Sequence, residues 1–122
     1  MNTNAPNLKA IGANIKKASA EMIVLNLIAS KKETYGFEIA RTMSELTYRE
    51  YHIGEGSTYT ILTRLVENGC ITSERRTVTG KRVRVYYKIT KKGLDYLKKM
   101  KDEYLHQTNL VLTLLNEPNL PL

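Results

Sequence analysis

Apolar residues recur at steps of three and four through the first quarter of the chain, and this spacing predicts an amphipathic helix. The stripe consists of Ile11, Ile15, Ala18, Met22, Leu25 and Ala29. The cations Lys31 and Lys32 favour a helix C-terminus, so we expect the helix to end near Ser30. The polar residues 1–9 precede the stripe, include Pro6, and are expected to form a flexible arm.

A second helix is predicted over Tyr35–Leu46, whose apolar residues share one face. Thr34 is expected to be its N-cap, because a threonine hydroxyl accepts a hydrogen bond from an early backbone N–H. The next residues, 47–56, follow no clear period and include Gly54 and Gly56. We therefore expect a loop between the second helix and the third.

A third helix is predicted over 57–68, with Ser57 as its N-cap. Its end is marked by Gly69, because glycine readily takes the left-handed conformation that follows a helix. The apolar face consists of Ile61, Leu62, Leu65 and Val66. The remaining face carries short hydrogen-bonding side chains, and we expect it to point outward with Thr58, Tyr59, Thr60, Thr63, Arg64 and Glu67.

The pattern then changes to a period of two, which is typical of a half-buried strand. One predicted face consists of Val83, Val85, Tyr87 and Ile89. The other face consists of Arg82, Arg84, Tyr86 and Lys88. A β-branched segment over 70–77 and a turn over 78–81 come before this strand, so the two strands should form a hairpin with a basic outer face.

A last helix is predicted from Thr90 to about Asn116, where Pro118 follows. Its length of about 39 Å exceeds the radius of gyration of roughly 14 Å expected for a domain of this size. An apolar stripe nevertheless runs along it: Leu94, Leu97, Met100, Tyr104, Leu105, Val111, Leu112 and Leu115. We therefore expect a second copy of the chain to cover its distal half.

Charge is distributed very unevenly along the chain. The formal net charge is +7, with 19 basic and 12 acidic residues. Residues 1–74 carry 8 basic and 8 acidic side chains, whereas 75–94 carry 8 basic side chains and no acidic one. A neutral body with one concentrated basic segment indicates a polyanionic partner.

Several classes of protein are excluded by composition. A length of 122 residues allows one domain, and the apolar run 22–28 is far too short to cross a membrane. The single cysteine, Cys70, excludes a disulfide framework and favours a cytoplasmic location. His52 and His106 lie in different elements without metal-ligand spacing, so we expect no metal, no other cofactor and no catalytic residue.

Helix, helix, loop, helix and basic hairpin form the order of a winged helix-turn-helix. We expect a mainly α chain with a two-stranded β-hairpin: this domain over 10–89, a dimerisation helix over 90–116 and a tail over 117–122. Helix 57–68 would enter the major groove, and the wing 75–88 would bind the backbone or the minor groove. The wing contacts are expected from Lys81, Arg82, Arg84, Tyr86 and Lys88.

Three motifs resemble the PadR family of bacterial transcriptional regulators. They are Tyr35-Gly36-Phe37-Glu38-Ile39, the run 56–65 (GSTYTILTRL) and the run 86–93 (YYKITKKG). The resemblance is greatest to the short subfamily with a single C-terminal helix, which includes a lactococcal multidrug-binding regulator. It implies a homodimeric repressor that binds a near-palindromic operator. Within the helices it implies DNA contacts from Tyr35, Ser57, Thr58, Tyr59 and Arg64, and in the wing from Arg82, Arg84 and Tyr86.

The same resemblance implies a dimer interface between the first and last helices. The expected contacts are Ile11, Ile15, Ala18, Met22, Leu97, Tyr104, Leu105, Val111, Leu112 and Leu115. A small aromatic effector would contact Ala18, Met22 and Tyr104. Two positions depart from the family pattern: Thr60 replaces a frequent proline, and Tyr104 stands where the multidrug-binding member has tryptophan.

Other functions remain open from the sequence alone. A winged-helix protein could coat DNA repeats or segregate a plasmid, and this would change its binding stoichiometry. It could also be a protein- or RNA-interaction module, although RNA stacking needs exposed aromatic residues on a sheet face and only Tyr86 qualifies. An enzyme would need a nucleophile, a base and an orienting group, and the sequence presents no such set.

Overall fold

The computed structural model describes residues 7–116, which form four helices around one end of a small antiparallel sheet. The order of elements confirms a mainly helical winged-helix fold with a long last helix. The elements are α1 (Leu8–Lys31), β1 (Thr34–Tyr35), α2 (Gly36–Leu46), α3 (Glu55–Glu67), β2 (Ile71–Thr79), β3 (Arg82–Ile89) and α4 (Lys91–Leu115).

Helix α1 ends at Lys31, as the sequence predicts, but begins earlier than the apolar stripe. Asn7 is its N-cap, and the Asn7 side chain accepts a hydrogen bond of 3.0 Å from the backbone N–H of Ala10. Leu8 and Lys9, assigned to the flexible arm, are therefore helical. The rest of the predicted arm, 1–6, and the tail 117–122 lie outside the described residues.

The core is built around the second half of α1. Val24, Leu25 and Ile28 are completely buried there, and the other helices and β2 pack against them. Burying each of these aliphatic side chains contributes about 1.5–3 kcal/mol of transfer free energy. The partners are Ile39 and Met43 of α2, Ile61, Leu62 and Leu65 of α3, Ile71 of β2 and Leu97 of α4.

The sheet has three strands in the order β1-β3-β2, where the sequence predicted two. The additional strand pairs Thr34 with Tyr87 and Tyr35 with Tyr86. This pairing corrects the assignment of Thr34 as an N-cap: Thr34 is extended and buried, and its hydroxyl donates to Glu38 Oε1 at 2.6 Å. A two-residue strand has no periodicity of its own, so only its partner in the sheet identifies it.

Helix α3 begins at Glu55 with Gly54 as its N-cap, two residues before the predicted start. Ser57 therefore lies inside the helix and is not its cap. The predicted C-terminus is confirmed, since Asn68 caps the helix and Gly69 takes a φ of +75°. The earlier start adds about half a turn to the N-terminal end of the helix.

Helix α4 is anchored at the start of β2. The Thr90 hydroxyl caps the helix by accepting from the Gly93 N–H at 3.0 Å, and it donates to the Gly69 carbonyl at 2.7 Å. The backbone N–H of Thr90 donates to the Cys70 carbonyl at 3.0 Å. Gly93 packs so closely that a Cβ would collide with the Cys70 carbonyl and lie 2.8 Å from Cγ1 of Ile89.

Candidate nucleic-acid interface

The N-terminus of α2 and the strand β3 border one cleft. This cleft has a volume of about 270 Å³ and is lined by Tyr35, Gly36, Phe37, Arg82, Val83, Arg84, Val85 and Tyr87. No side chain caps the N-terminus of α2, where backbone N–H groups and the helix dipole favour an anion. Two arginines and a helix N-terminus therefore face the same space.

The outward face of α3 carries Tyr59 and Thr60, with Thr63 partly exposed beside them and Ser57 exposed at its edge. Tyr59 is 69% exposed, which is unusual for an aromatic side chain with no partner to cover it. The Thr60 hydroxyl donates to the Gly56 carbonyl at 3.0 Å, so its oxygen lone pairs remain to accept. These side chains provide donors and acceptors on one short surface.

Thr58 does not belong to this surface, contrary to the prediction. Its side chain is 5% exposed, and its hydroxyl donates to the Gly54 carbonyl at 3.0 Å. The reason is helical spacing, because position 58 lies three and four residues before the buried Ile61 and Leu62. The same spacing in the sequence was sufficient to place Thr58 on the buried face.

Arg64 lies on the side of α3 that faces α1. Its Nε and Nη2 atoms are both 2.7 Å from Oε2 of Glu21, which belongs to α1. The hydroxyl of Tyr96 donates to the other carboxylate oxygen at 3.5 Å. The structure therefore places Arg64 in an ion pair at the edge of α3 that faces α1, one turn after Thr60, which lines the same groove.

On the outer face of the sheet, the predicted residues Tyr35, Arg84 and Tyr86 come together. Cζ of Arg84 lies 4.0 Å from the Tyr35 ring centroid, and Nη1 donates to the Tyr86 hydroxyl at 3.3 Å. The Tyr35 and Tyr86 rings meet edge to face, with centroids 5.5 Å apart. The hydrogen bond to Tyr86 also raises the pKa of Arg84.

Three residues that were not predicted from the sequence complete this cluster, namely Glu33, Glu74 and Arg76. The Arg76 guanidinium donates to both carboxylate oxygens of Glu33, at 2.9 and 2.8 Å, and to Glu74 at 3.0 Å. Its Cζ lies 4.4 Å from the Tyr86 ring centroid. The hydrogen bonds from Arg76 lower the pKa of both carboxyls. Glu74 and Arg76 could have been found from their shared strand face, whereas Glu33 required the fold.

The cations of the wing are therefore not equivalent. Lys88 lies 3.7 Å from a Glu33 oxygen and has a carboxylate partner. Lys81 and Arg82, at the tip of the hairpin, are exposed. Within residues 7–116, no carboxylate lies within ion-pair distance of Lys81, Arg82 or Arg84.

The residues predicted for the dimer interface occupy two environments. Leu97 is buried in the core of its own chain, so its assignment to the interface is corrected. Met22 is half-buried against that core, and Ala18 is exposed. The other predicted contacts are exposed: Ile11, Ile15, Tyr104, Leu105, Val111, Leu112 and Leu115. Four other exposed leucines of α1 and α4 are not among the predicted contacts, namely Leu8, Leu94, Leu110 and Leu114.

The described part of the chain, residues 7–116, presents neither a candidate metal site nor a candidate membrane span. It contains no group of three histidine, cysteine, aspartate or glutamate side chains that could hold a metal ion. None of its helices combines the length and the apolar character needed to cross a membrane.

Known proteins share both the sequence pattern and this architecture. A family model, the transcriptional regulator PadR-like family, matches residues 24–99. A PadR family transcriptional regulator from Eggerthella lenta is 21% identical with a TM-score of 0.80, covering 89% of this chain and 92% of that one. A transcriptional regulator from Clostridium thermocellum is 30% identical with a TM-score of 0.74, covering 85% and 99%.

A third similar structure was solved with nucleic acid. Bacillus subtilis PadR in complex with operator DNA is 21% identical with a TM-score of 0.60, covering 66% of this chain and 45% of that one. At this identity the likeness concerns the fold. Because the family model covers more than half of the sequence, including α2, α3 and the wing, this chain belongs to the PadR-like family of transcriptional regulators.

Proposed function

We propose that the chain is a sequence-specific double-stranded DNA-binding repressor that acts as a homodimer. The observation that carries the proposal is the polar outward face of α3 beside a basic wing whose tip cations have no carboxylate partner in the described structure. A duplex is recognised by a helix that reaches base edges together with cations that neutralise phosphates. Membership of a family of transcriptional regulators and the operator complex of a similar fold support the same function.

Helix α3 is the proposed major-groove element. Tyr59, Thr60 and Thr63 offer hydroxyl groups to base edges, and Ser57 lies at the N-terminal end, where backbone N–H groups favour a phosphate. The side chains of Thr60 and Thr63 are short enough for the helix backbone to approach the bases closely. Thr58 has no part in this role because it is buried.

The wing is the proposed backbone or minor-groove element. Lys81, Arg82 and Arg84 have no carboxylate of residues 7–116 within ion-pair distance, and Tyr35 and Tyr86 support the Arg84 guanidinium. Each phosphate neutralised by such a cation makes binding more sensitive to salt. Lys88 contributes less directly, since it already lies beside Glu33.

A second copy of the chain is the proposed occupant of the exposed apolar surface of α1 and α4. Helix α4 has 25 residues and is about 38 Å long, so only its first turns reach the core of its own chain. A two-fold dimer buries the same face on both subunits and presents two α3 helices to half-sites about 34–36 Å apart. A small aromatic effector between the subunits, near Ala18, Met22 and Tyr104, would release the operator.

Selection of bound duplexes from a random pool by the full-length protein tests this proposal. We expect enrichment of two inverted half-sites at a fixed spacing, because a symmetric dimer reads a symmetric sequence. Repeating the selection with planar aromatic compounds tests for release by an effector. Enrichment of direct repeats with continuous coverage would instead indicate a DNA-coating protein. A pool without enrichment, or preference for RNA, would contradict the proposal.

A further inference from the structure

We propose that Glu33, in the turn between α1 and β1, is a positioning residue of the wing. Its carboxylate holds Arg76, and through Arg76 it fixes the tyrosine pair that supports Arg84. The inference rests on the proposed DNA binding, because Arg84 matters as a cation presented to phosphates. Glu33 itself is not expected to touch DNA.

The geometry of the pair favours a fixed orientation. Two parallel N–H···O bonds of 2.9 and 2.8 Å join the guanidinium to both oxygens of Glu33. Glu74 accepts a further bond of 3.0 Å from the same guanidinium, and the Tyr86 ring lies against it at 4.4 Å. A two-point bond between planar groups defines direction as well as distance, and stacking on an aromatic ring adds to it.

The backbone places Glu33 where it can do this. Helix α1 ends at Lys31, Lys32 takes a left-handed φ of 64°, and the Glu33 N–H donates to the Lys31 carbonyl at 2.7 Å. The next two residues enter the sheet as β1, beside β3. Glu33 is therefore held between the end of α1 and the first strand, and its carboxylate joins α1 to β2.

From Arg76 the contacts continue towards the wing. The Tyr86 ring packs against Arg76 on one side and meets the Tyr35 ring edge to face. Arg84 lies over Tyr35 and donates to the Tyr86 hydroxyl. Every member of this row is in contact with the next, so freeing Arg76 would also free the Tyr86 ring on which Arg84 depends.

If Glu33 acted only through its negative charge, its removal would have the opposite effect on DNA binding from the one that a positioning role predicts. A carboxylate near DNA repels phosphates, so removing the charge of Glu33 would strengthen binding if charge were its only effect. Releasing Arg76 as a new phosphate contact would also strengthen binding, and it would steepen the salt dependence by about 0.9 in log–log slope. A positioning role for Glu33 predicts that removing its charge weakens DNA binding and does not steepen the log–log salt dependence.

The test compares Glu33→Gln with Glu50→Gln, which removes the same charge from an exposed loop residue without an ion pair in the described structure. We expect Glu33→Gln to weaken binding of operator and random duplexes equally, by about threefold to tenfold, the cost of ordering one or two freed side chains. Combining Glu33→Gln with Arg76→Gln should add little to Arg76→Gln alone, because the two residues act as a unit.

A second measurement needs no DNA. Amide hydrogen exchange at 34–35 and 84–87 should accelerate in Glu33→Gln and in Arg76→Gln, but not in Glu50→Gln. Unchanged exchange together with binding as tight as that of Glu50→Gln would overturn the inference and leave the proposed function intact. If the wild-type chain bound no duplex, the proposed function would fail first, and a role for Glu33 in DNA binding would fail with it.

Discussion

Arg64 on α3, the proposed major-groove helix, is joined to Glu21 on α1 by two nitrogen–oxygen contacts of 2.7 Å, both to one carboxylate oxygen. The ion pair connects the helix that would enter the groove to the central helix of the core. Half of the Arg64 side chain remains exposed, so solvent screens part of the attraction.

We expect Arg64→Ala to act mainly on stability. A double-mutant cycle with Glu21→Ala should give a coupling of about 0.5–1 kcal/mol in the free energy of unfolding, measured by urea denaturation. The affinity for operator should fall less than in Arg84→Ala. An equal fall would show that Arg64 leaves Glu21 to contact DNA, as the family resemblance implies.

Arg84→Ala is expected to weaken binding to every duplex to a similar extent. The guanidinium contacts no carboxylate in the described structure and faces the same cleft as the α2 N-terminus. Losing one phosphate contact should make the log–log salt slope shallower by about 0.9 per site. Fluorescence anisotropy titrations at several salt concentrations measure both quantities, and a change in base preference instead would place Arg84 against a base edge.

Thr63→Ala and Thr58→Ala form a matched pair on α3. Thr63 lies on the outward face, so its substitution should alter preference at one base-pair position by about 1–3 kcal/mol. Thr58 is buried with its hydroxyl on Gly54, so its substitution should cost about 1 kcal/mol of stability and leave base preference unchanged. Competition binding to single-position operator variants tests the pair. A changed preference in Thr58→Ala would mean that α3 is rotated from this arrangement.

Gly93→Ala should strongly destabilise the fold. A Cβ at this position collides with the Cys70 backbone carbonyl, which cannot move without breaking its hydrogen bonds with Thr90. We expect a loss of about 2–4 kcal/mol in the free energy of unfolding. Gly56→Ala is the control, since nothing lies within 4 Å of a Cβ there. Equal stability of the two variants would contradict the close packing of α4 on β2.

Leu112→Asp should convert the protein to a monomer. Leu112 is exposed on the distal half of α4, and the proposed dimer buries it against the partner, where an unpaired carboxylate is costly. Leu46→Asp makes the same change at an exposed position of α2 and should leave the assembly intact. Sedimentation velocity distinguishes the outcomes. A wild-type monomer, or a dimer unaffected by Leu112→Asp, would contradict the interface.

The spacing of apolar residues predicted the long helices and strands well, because burying one face of an element requires apolar residues at regular intervals. The alternation of apolar and polar residues predicts the strand over Arg82–Ile89, and the structure confirms it. The conformational freedom of Gly69 predicts that α3 ends just before it, and this is also confirmed. The errors occur where a contact distant in sequence decides the outcome. Thr34 became a strand residue because β3 lies beside it, and Glu33 joined the wing because the turn after α1 directs it there.

The junction of Thr90, Gly93 and Cys70 determines more than the stability of one helix start. If two chains associate through α4, this junction is the joint at which each DNA-binding domain is attached to the shared axis of the dimer. A tilt of about 5° there would displace the far end of a helix about 38 Å long by about 3 Å. Since one base-pair step is about 3.4 Å, the rigidity of this joint would define the operator spacing that the dimer accepts.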